Sequence, residues 1–170
     1  MKSSERNSPY HRWGLILAGG EVTRLLPLTR SITGDDRPNQ FCTVMGRETL
    51  LQQTQRRVSK LLPAWRTMLV STAKHEPFYA AAVKGISTAT LVIQPANRGT
   101  APAILNTVLR VREMDRRAIV PCFPSYHHFS DNATFVATSG EPGRVRSLLE
   151  GMVVRTPRRV QADGRSVAAH

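Results

Sequence analysis

The sequence predicts an α/β fold: a mostly parallel β-sheet with helices on both faces. Three observations carry this reading. Four short apolar runs, Trp13–Ala18, Thr67–Ser71, Thr90–Ile93 and Ala118–Cys122, recur along the first 122 residues. They are apolar throughout instead of alternating, as strands covered on both faces must be. Between them lie segments with helical apolar spacing, and that rhythm of strand and helix is the signature of βαβ units.

The first run closes in Gly19-Gly20 and reads as a buried strand. Arg47 to Leu62 carries Leu50, Leu51, Val58, Leu61 and Leu62 at helical spacing and stops at Pro63. Thr67–Ser71 is the second strand, and Pro77 to Val83 reads as a short alanine-rich helix ended by Gly85. Thr90–Ile93 is the third strand, followed by a turn over 94–99. Thr100 to Met114 is a second long helix with Ile104, Val108 and Val111 on one face, and Thr100 is suited to cap it. Ala118–Cys122 is the fourth strand. Three unusual loops, 19–40, 94–102 and 123–131, each follow a strand, so a parallel sheet would gather them at one edge, where such sheets bind ligands.

A chain of 170 residues is long enough for one domain with its own core. No stretch has the ~18–20 apolar residues of a membrane span, and the polar start lacks a secretory pattern, so a cytoplasmic protein is expected. Cys42 and Cys122, 80 positions apart, fit neither a metal spacing nor a disulfide framework and read as buried free thiols. The formal net charge is +12, with 20 arginines among the 24 basic residues. That excess favours anions, phosphates included. The arginines are dispersed, however, and aromatics make up only 6% of the chain, which argues against nucleic acid as the main partner.

The segment Leu17-Ala18-Gly19-Gly20-Glu21-Val22-Thr23-Arg24-Leu25-Leu26-Pro27-Leu28 follows directly on the first strand. Glycines there let backbone N–H groups approach a phosphate, and an arginine nearby can grip its oxygens. Leu17 to Arg30 resembles the nucleotide-binding signature of the sugar-phosphate nucleotidyltransferases. Asp35-Asp36-Arg37-Pro38-Asn39-Gln40-Phe41 is similar to the second block of the mannose-1-phosphate guanylyltransferase branch. Gln94-Pro95-Ala96-Asn97-Arg98-Gly99-Thr100-Ala101-Pro102-Ala103 resembles its third block, and Phe123-Pro124-Ser125-Tyr126-His127-His128-Phe129 its fourth.

The resemblance implies a Rossmann-like domain, Mg²⁺, and the conversion of GTP and mannose 1-phosphate to GDP-mannose and pyrophosphate. It implies nucleotide binding by Leu17, Ala18, Gly19, Gly20, Thr23 and Arg24, and by Gln94, Asn97, Arg98, Gly99, Thr100 and Ala101. Arg24 is also the implied catalytic arginine, and Asn39 stands where the family has its catalytic lysine. The family's metal-binding aspartate is replaced by Tyr126, and its second loop glycine by Val22. Removing a comparable electrostatic group costs on the order of 10²–10³ in rate, and a phenol is a poor ligand for Mg²⁺. Asp35 and Asp36 in the second block and Asp131 just past the fourth are carboxylates that could be borrowed in compensation, an unfavoured reading, while His127 and His128 suit softer metals better than Mg²⁺.

The resemblance fades near Thr138. The chain therefore reads as a polar extension over 1–12, an incomplete nucleotidyltransferase-like domain over 13–138, and a basic, weakly ordered tail over 139–170. Activity far below that of an intact relative is expected. The alternatives are a catalytically inactive truncated paralogue that binds nucleotide or partners a full-length homologue in a homo- or hetero-oligomer, and, less favoured, a nonspecific nucleic-acid binder.

Overall fold

The computed structural model describes residues 11–21, 23–44 and 46–127, together with the backbone of the strand Val153–Arg155. Four parallel strands form its centre: β1 (Gly14–Leu17), β2 (Thr67–Thr72), β3 (Leu91–Gln94) and β4 (Ile119–Pro124). A fifth, β5 (Val153–Arg155), adds an antiparallel edge, giving the order β3-β2-β1-β4-β5. The registers pair Leu15 with Met68 and Cys122, and Leu69 with Leu91. All four expected strands are present, each within a residue or two of its expected limits. β5 takes in part of Met152-Val153-Val154, the apolar run inside the expected tail; the rest of 139–170 lies outside the described residues.

Because side chains alternate along a strand, each strand feeds two cores. Leu15, Met68, Val70, Val92, Val120 and Cys122 pack on one face against Ile104, Val108 and Val111 of α4 (Thr100–Met114). Ile16, Leu69 and Phe123 pack on the other against Leu51 and Val58 of α2 (Leu50–Ser59), with Phe41 and Tyr79. Helices on both faces bury most of the strand residues, which explains their apolar character.

Local chemistry sets the helix ends. The Thr49 hydroxyl accepts from the Gln52 amide at 3.2 Å while the Gln52 carboxamide oxygen accepts from the Thr49 amide at 2.8 Å, a reciprocal cap that starts α2 three residues later than its periodicity predicts. α3 (Glu76–Tyr79) spans only four residues, with Pro77 in its first turn, and the alanines after it continue as turns. α4 has the expected limits, but Gly99, not Thr100, is its cap residue, at φ +91°, and no side chain caps it. An additional helix, α1 (Leu26–Thr33), occupies part of the expected loop 19–40 and ends at left-handed Gly34. Its only buried side chain is Thr29, whereas Leu25, Leu28 and Ile32 around it are exposed. It therefore lacks the inward apolar stripe by which helices are read.

At the amino ends of the strands, His11 and the Trp13 indole both bond the Asp115 carboxylate, at 3.0 and 3.3 Å. Trp13 also meets Trp65 edge-on, ring centroids 6.5 Å apart. A cavity of about 400 Å³ opens beside Trp65 on the α2 face, lined by Ile16, Leu62, Leu69, Ile86 and Thr90 among others.

Candidate functional site

With β1 to β4 parallel, every loop at their carboxyl ends emerges on one edge of the sheet. The strand order reverses between β1 and β4: β2 and β3 lie to one side of β1, β4 to the other. In open α/β sheets the crevice outside such a reversal is where ligands bind. The first loop leaves β1 on one side of that crevice, and the fourth leaves β4 on the other.

Three contacts tie these loops together. Ser125, opening the fourth loop, donates from its amide and its hydroxyl to the Leu17 carbonyl at 3.1 and 2.6 Å. The Gln94 side chain, at the end of β3, lies 3.4 Å from where a Cβ on Gly19 would stand. That same imagined Cβ would stand 3.0 Å from the Thr72 hydroxyl, so a side chain at position 19 would fit only if its neighbours gave way by a few tenths of an ångström. The first, third and fourth loops are thus neighbours, as the sequence predicts.

The first loop is held from beneath. Its residues Ala18, Gly19 and Gly20 offer their carbonyls to buried side chains: Gln40 donates to Ala18 and Gly20 at 3.1 and 3.0 Å, Ser71 to Ala18 at 3.3 Å, and Thr72 to Gly19 at 2.9 Å. His75 is buried next to them, packed edge-on against Phe41. Beyond Gly20 the chain is exposed: Thr23 and Arg24 sit in a short 3₁₀ turn, and no ion pair among the described residues engages Arg24. Glu21, in the same loop, pairs with Lys74 at 3.2 Å. Val22 lies outside the described residues.

In the third loop, Gln94 is buried and Asn97, Arg98, Gly99, Thr100 and Ala101 are exposed. The Asn97 carboxamide oxygen accepts the Gly99 amide at 2.9 Å, which folds the loop into a tight turn ahead of α4. In the fourth, Tyr126 is exposed and stacks edge-on against His127, centroids 4.4 Å apart. Arg57, fully inside α2, reaches across to the His127 carbonyl at 3.1 Å and to Thr54 at 2.7 Å. Burial, reinforced by neighbouring Arg56, pulls the Arg57 guanidinium below its usual range.

Asn39 directly precedes Gln40. It begins the 3₁₀ turn Asn39–Phe41 and is buried, and its side-chain oxygen has no partner among the described residues. The carboxylates of the second block are engaged elsewhere. Asp35 forms a two-pronged pair with Arg37, which holds its carboxyl well below the usual range, and Asp36 pairs with Arg30. Among the described residues no group of three or more His, Cys, Asp or Glu side chains could hold a metal ion. Asp35 and Asp36 are each paired with an arginine, and the exposed Tyr126 phenol is a poor ligand for Mg²⁺. His128 and Asp131 lie outside the described residues. Among the described residues, no helix is long and apolar enough to cross a membrane.

The sequence pattern points to residues of the loops themselves but gives no role to Gln40, Ser71, Thr72, Arg57 or Ser125, which hold the loops in place. Gln40 stood in view beside Asn39 in the second block. Ser71 and Thr72 carried a fainter signal, two hydroxyls closing an otherwise apolar strand. Arg57 looked like one more charge on a helix.

Residues 13–142 match the nucleotidyl transferase family. The chain is 31% identical over 125 residues to the xanthan biosynthesis protein XanB of Xanthomonas campestris pv. campestris, covering 72% of this chain and 26% of that protein. It is 29% identical to a mannose-1-phosphate guanylyltransferase of Salmonella montevideo, covering 73% and 25%. It thus spans about a quarter of the length of these relatives. Among solved structures, it is similar to the mannose-1-phosphate geranyltransferase of Thermus thermophilus, with a TM-score of 0.62 at 29% identity over 75% of this chain and 36% of that one. A nucleotidyl transferase from Methanothermobacter thermautotroptrophicus shares the fold, with a TM-score of 0.53 at 15% identity, over 76% of this chain and 56% of that one. With most of its length inside the family match, the chain belongs to the nucleotidyl transferase family.

Proposed function

We propose that this chain binds the triphosphate of a nucleotide, GTP by its likeness to the guanylyltransferases, in the crevice between the loops after β1 and β4. We further propose that it transfers the nucleotidyl group to a sugar 1-phosphate such as mannose 1-phosphate at a rate far below that of an intact relative. The observation that carries the reading is the meeting of three loops at one sheet edge, through Ser125 on Leu17 and Gln94 against Gly19. An exposed glycine, Gly20, and two exposed arginines, Arg24 and Arg98, lie within those loops.

In such a transfer an oxygen of the sugar phosphate attacks the α-phosphorus in line, and pyrophosphate leaves from the opposite side. Catalysis of this kind depends on positioning and on neutralising crowded negative charge. Backbone amides of the first loop and Arg24 would hold the phosphates, while Gln94 and the Asn97 turn would hold base and ribose. The weakness is equally local. A neutral, buried Asn39 and an exposed phenol at Tyr126 bring no charge to the departing pyrophosphate.

Pyrophosphate release from GTP, mannose 1-phosphate and Mg²⁺, measured beside equilibrium dialysis of GTP, tests both halves. The expected result is measurable GTP binding, with turnover lowered on the order of 10²–10³ for each missing electrostatic group. Turnover equal to that of an intact guanylyltransferase would refute the impairment, and absence of nucleotide binding would refute the site. The combined reversion Val22→Gly, Asn39→Lys and Tyr126→Asp is expected to tighten binding of the magnesium nucleotide. Single reversions should do less, since such groups act as a unit.

A further inference from the structure

We infer that Gln40 is a positioning residue that turns the first loop into an anion grip, by fixing which way its peptide groups face. The inference rests on the triphosphate reading above and adds the part of the fold that orients the loop.

In a trans peptide the carbonyl of one residue and the N–H of the next point in opposite directions. The Gln40 side-chain nitrogen donates to the carbonyls of both Ala18 and Gly20. The N–H groups of Gly19 and Glu21 must therefore point away from Gln40, toward the same side. Thr72 holds the intervening Gly19 carbonyl and aims the Gly20 N–H away from β2 in the same manner. In contrast, the Ala18 N–H is taken up by the Val70 carbonyl at 2.8 Å, so the loop's outward amides begin at Gly19. Successive amides oriented outward form an anion-binding concavity.

A second observation shows that donation is what the site requires of this side chain. Gln40 is 1% exposed, and its own oxygen has no hydrogen-bond partner among the described residues. Turning the carboxamide over would face that oxygen against two carbonyl oxygens, so the orientation is fixed by chemistry. The fold leaves one buried acceptor unpaired, which is unfavourable, while both donors of the same group go to the loop.

The test uses the full chain, with tripolyphosphate as the probe. Titrated into ¹⁵N-labelled protein, it is expected to shift the backbone amide resonances of Gly19, Gly20 and Glu21, a signature that stability alone does not produce. In Gln40→Met, similar in length but without donors, affinity for tripolyphosphate should fall about tenfold, the effect of losing one charge-assisted hydrogen bond. The Glu21 shift should fade with it, more than that of Gly19, whose peptide Ser71 still holds through the Ala18 carbonyl. If tripolyphosphate binds the unaltered protein without moving those amides, or binds Gln40→Met unchanged with the shifts intact, the positioning role is overturned while the site stands. If it does not bind the unaltered protein, the site reading falls and the inference with it. Should Gln40→Met fail to fold, the amide shifts of the unaltered protein still decide.

Discussion

His75 is a buried imidazole beneath the first loop, and its protonation is coupled to folding. Burial lowers its pKa below the ordinary 6.5, Glu21 raises it, Lys74 lowers it, and a hydrogen bond to Ala18 raises it, with burial prevailing. The unfolded chain therefore takes up a proton that the folded one refuses. Stability from this group is complete above about pH 6.5 and falls as the pH drops below it. His75→Gln is expected to flatten the melting temperature between about pH 5 and 7 relative to the unaltered chain, as read by thermal melts. Identical slopes in the two proteins would discount the group. At this scale the sequence points to the loops that meet at the sheet edge but not to the side chains that hold them. Gly19, Gly20, Arg24 and Gln94 are legible from glycine chemistry and block spacing, because their role begins next to a strand end. The partners of the loop carbonyls come from β2 and from a turn twenty residues on, and Arg57 meets the fourth loop across 70 positions. Separations like these carry no periodic signal.

Among the elements, those with a one-sided apolar stripe were legible. α4 has its expected limits because Ile104, Val108 and Val111 mark its buried face. α1 was not legible, since Leu28 and Ile32 face outward. α3 was overestimated because an alanine run favours helix wherever it stands, and here two of those alanines are exposed and gain nothing from burial. The start of α4 shows why capping chemistry misleads when read one residue out of place. Gly99 adopts φ +91° and ψ 174°, a backbone region essentially reserved for glycine. No atom stands within 4 Å of a Cβ built there, so any penalty for a side chain is conformational and not steric. Gly99→Ala is expected to cost about 1–3 kcal/mol in urea unfolding, and a loss under about 0.5 kcal/mol would show that the turn can relax.

For the molecule as a whole, the two thiols report on its two layers. Cys122 faces α4, and burial pushes its thiol up to about 12; Cys42, also buried and raised for the same reason, follows Phe41 of the opposite layer. If the sheet and both helical layers unfold as one unit, a thiol reagent added at mild urea concentrations should modify both cysteines at the same rate. Mass spectrometry of the singly labelled species checks this. Accumulation of protein labelled at Cys42 alone would reveal a layer that opens by itself. The parallel sheet and the gathering of its loops were legible from the alternation of runs. The order of the strands was not, because apolar strands of similar composition do not encode their neighbours, and the reversal between β1 and β4 is a property of the assembled sheet.

The antiparallel strand β5 has a consequence for colloidal behaviour. By pairing with β4, it becomes the short outer strand of that flank of the sheet. Among the described residues β3 pairs only with β2, so the opposite flank presents main-chain groups beside partly exposed Ile93, the Leu91 carbonyl accepting from Arg110 at 3.4 Å. Such an edge favours edge-to-edge stacking of copies, and Ile93→Lys is expected to improve solubility by placing a charge beside it.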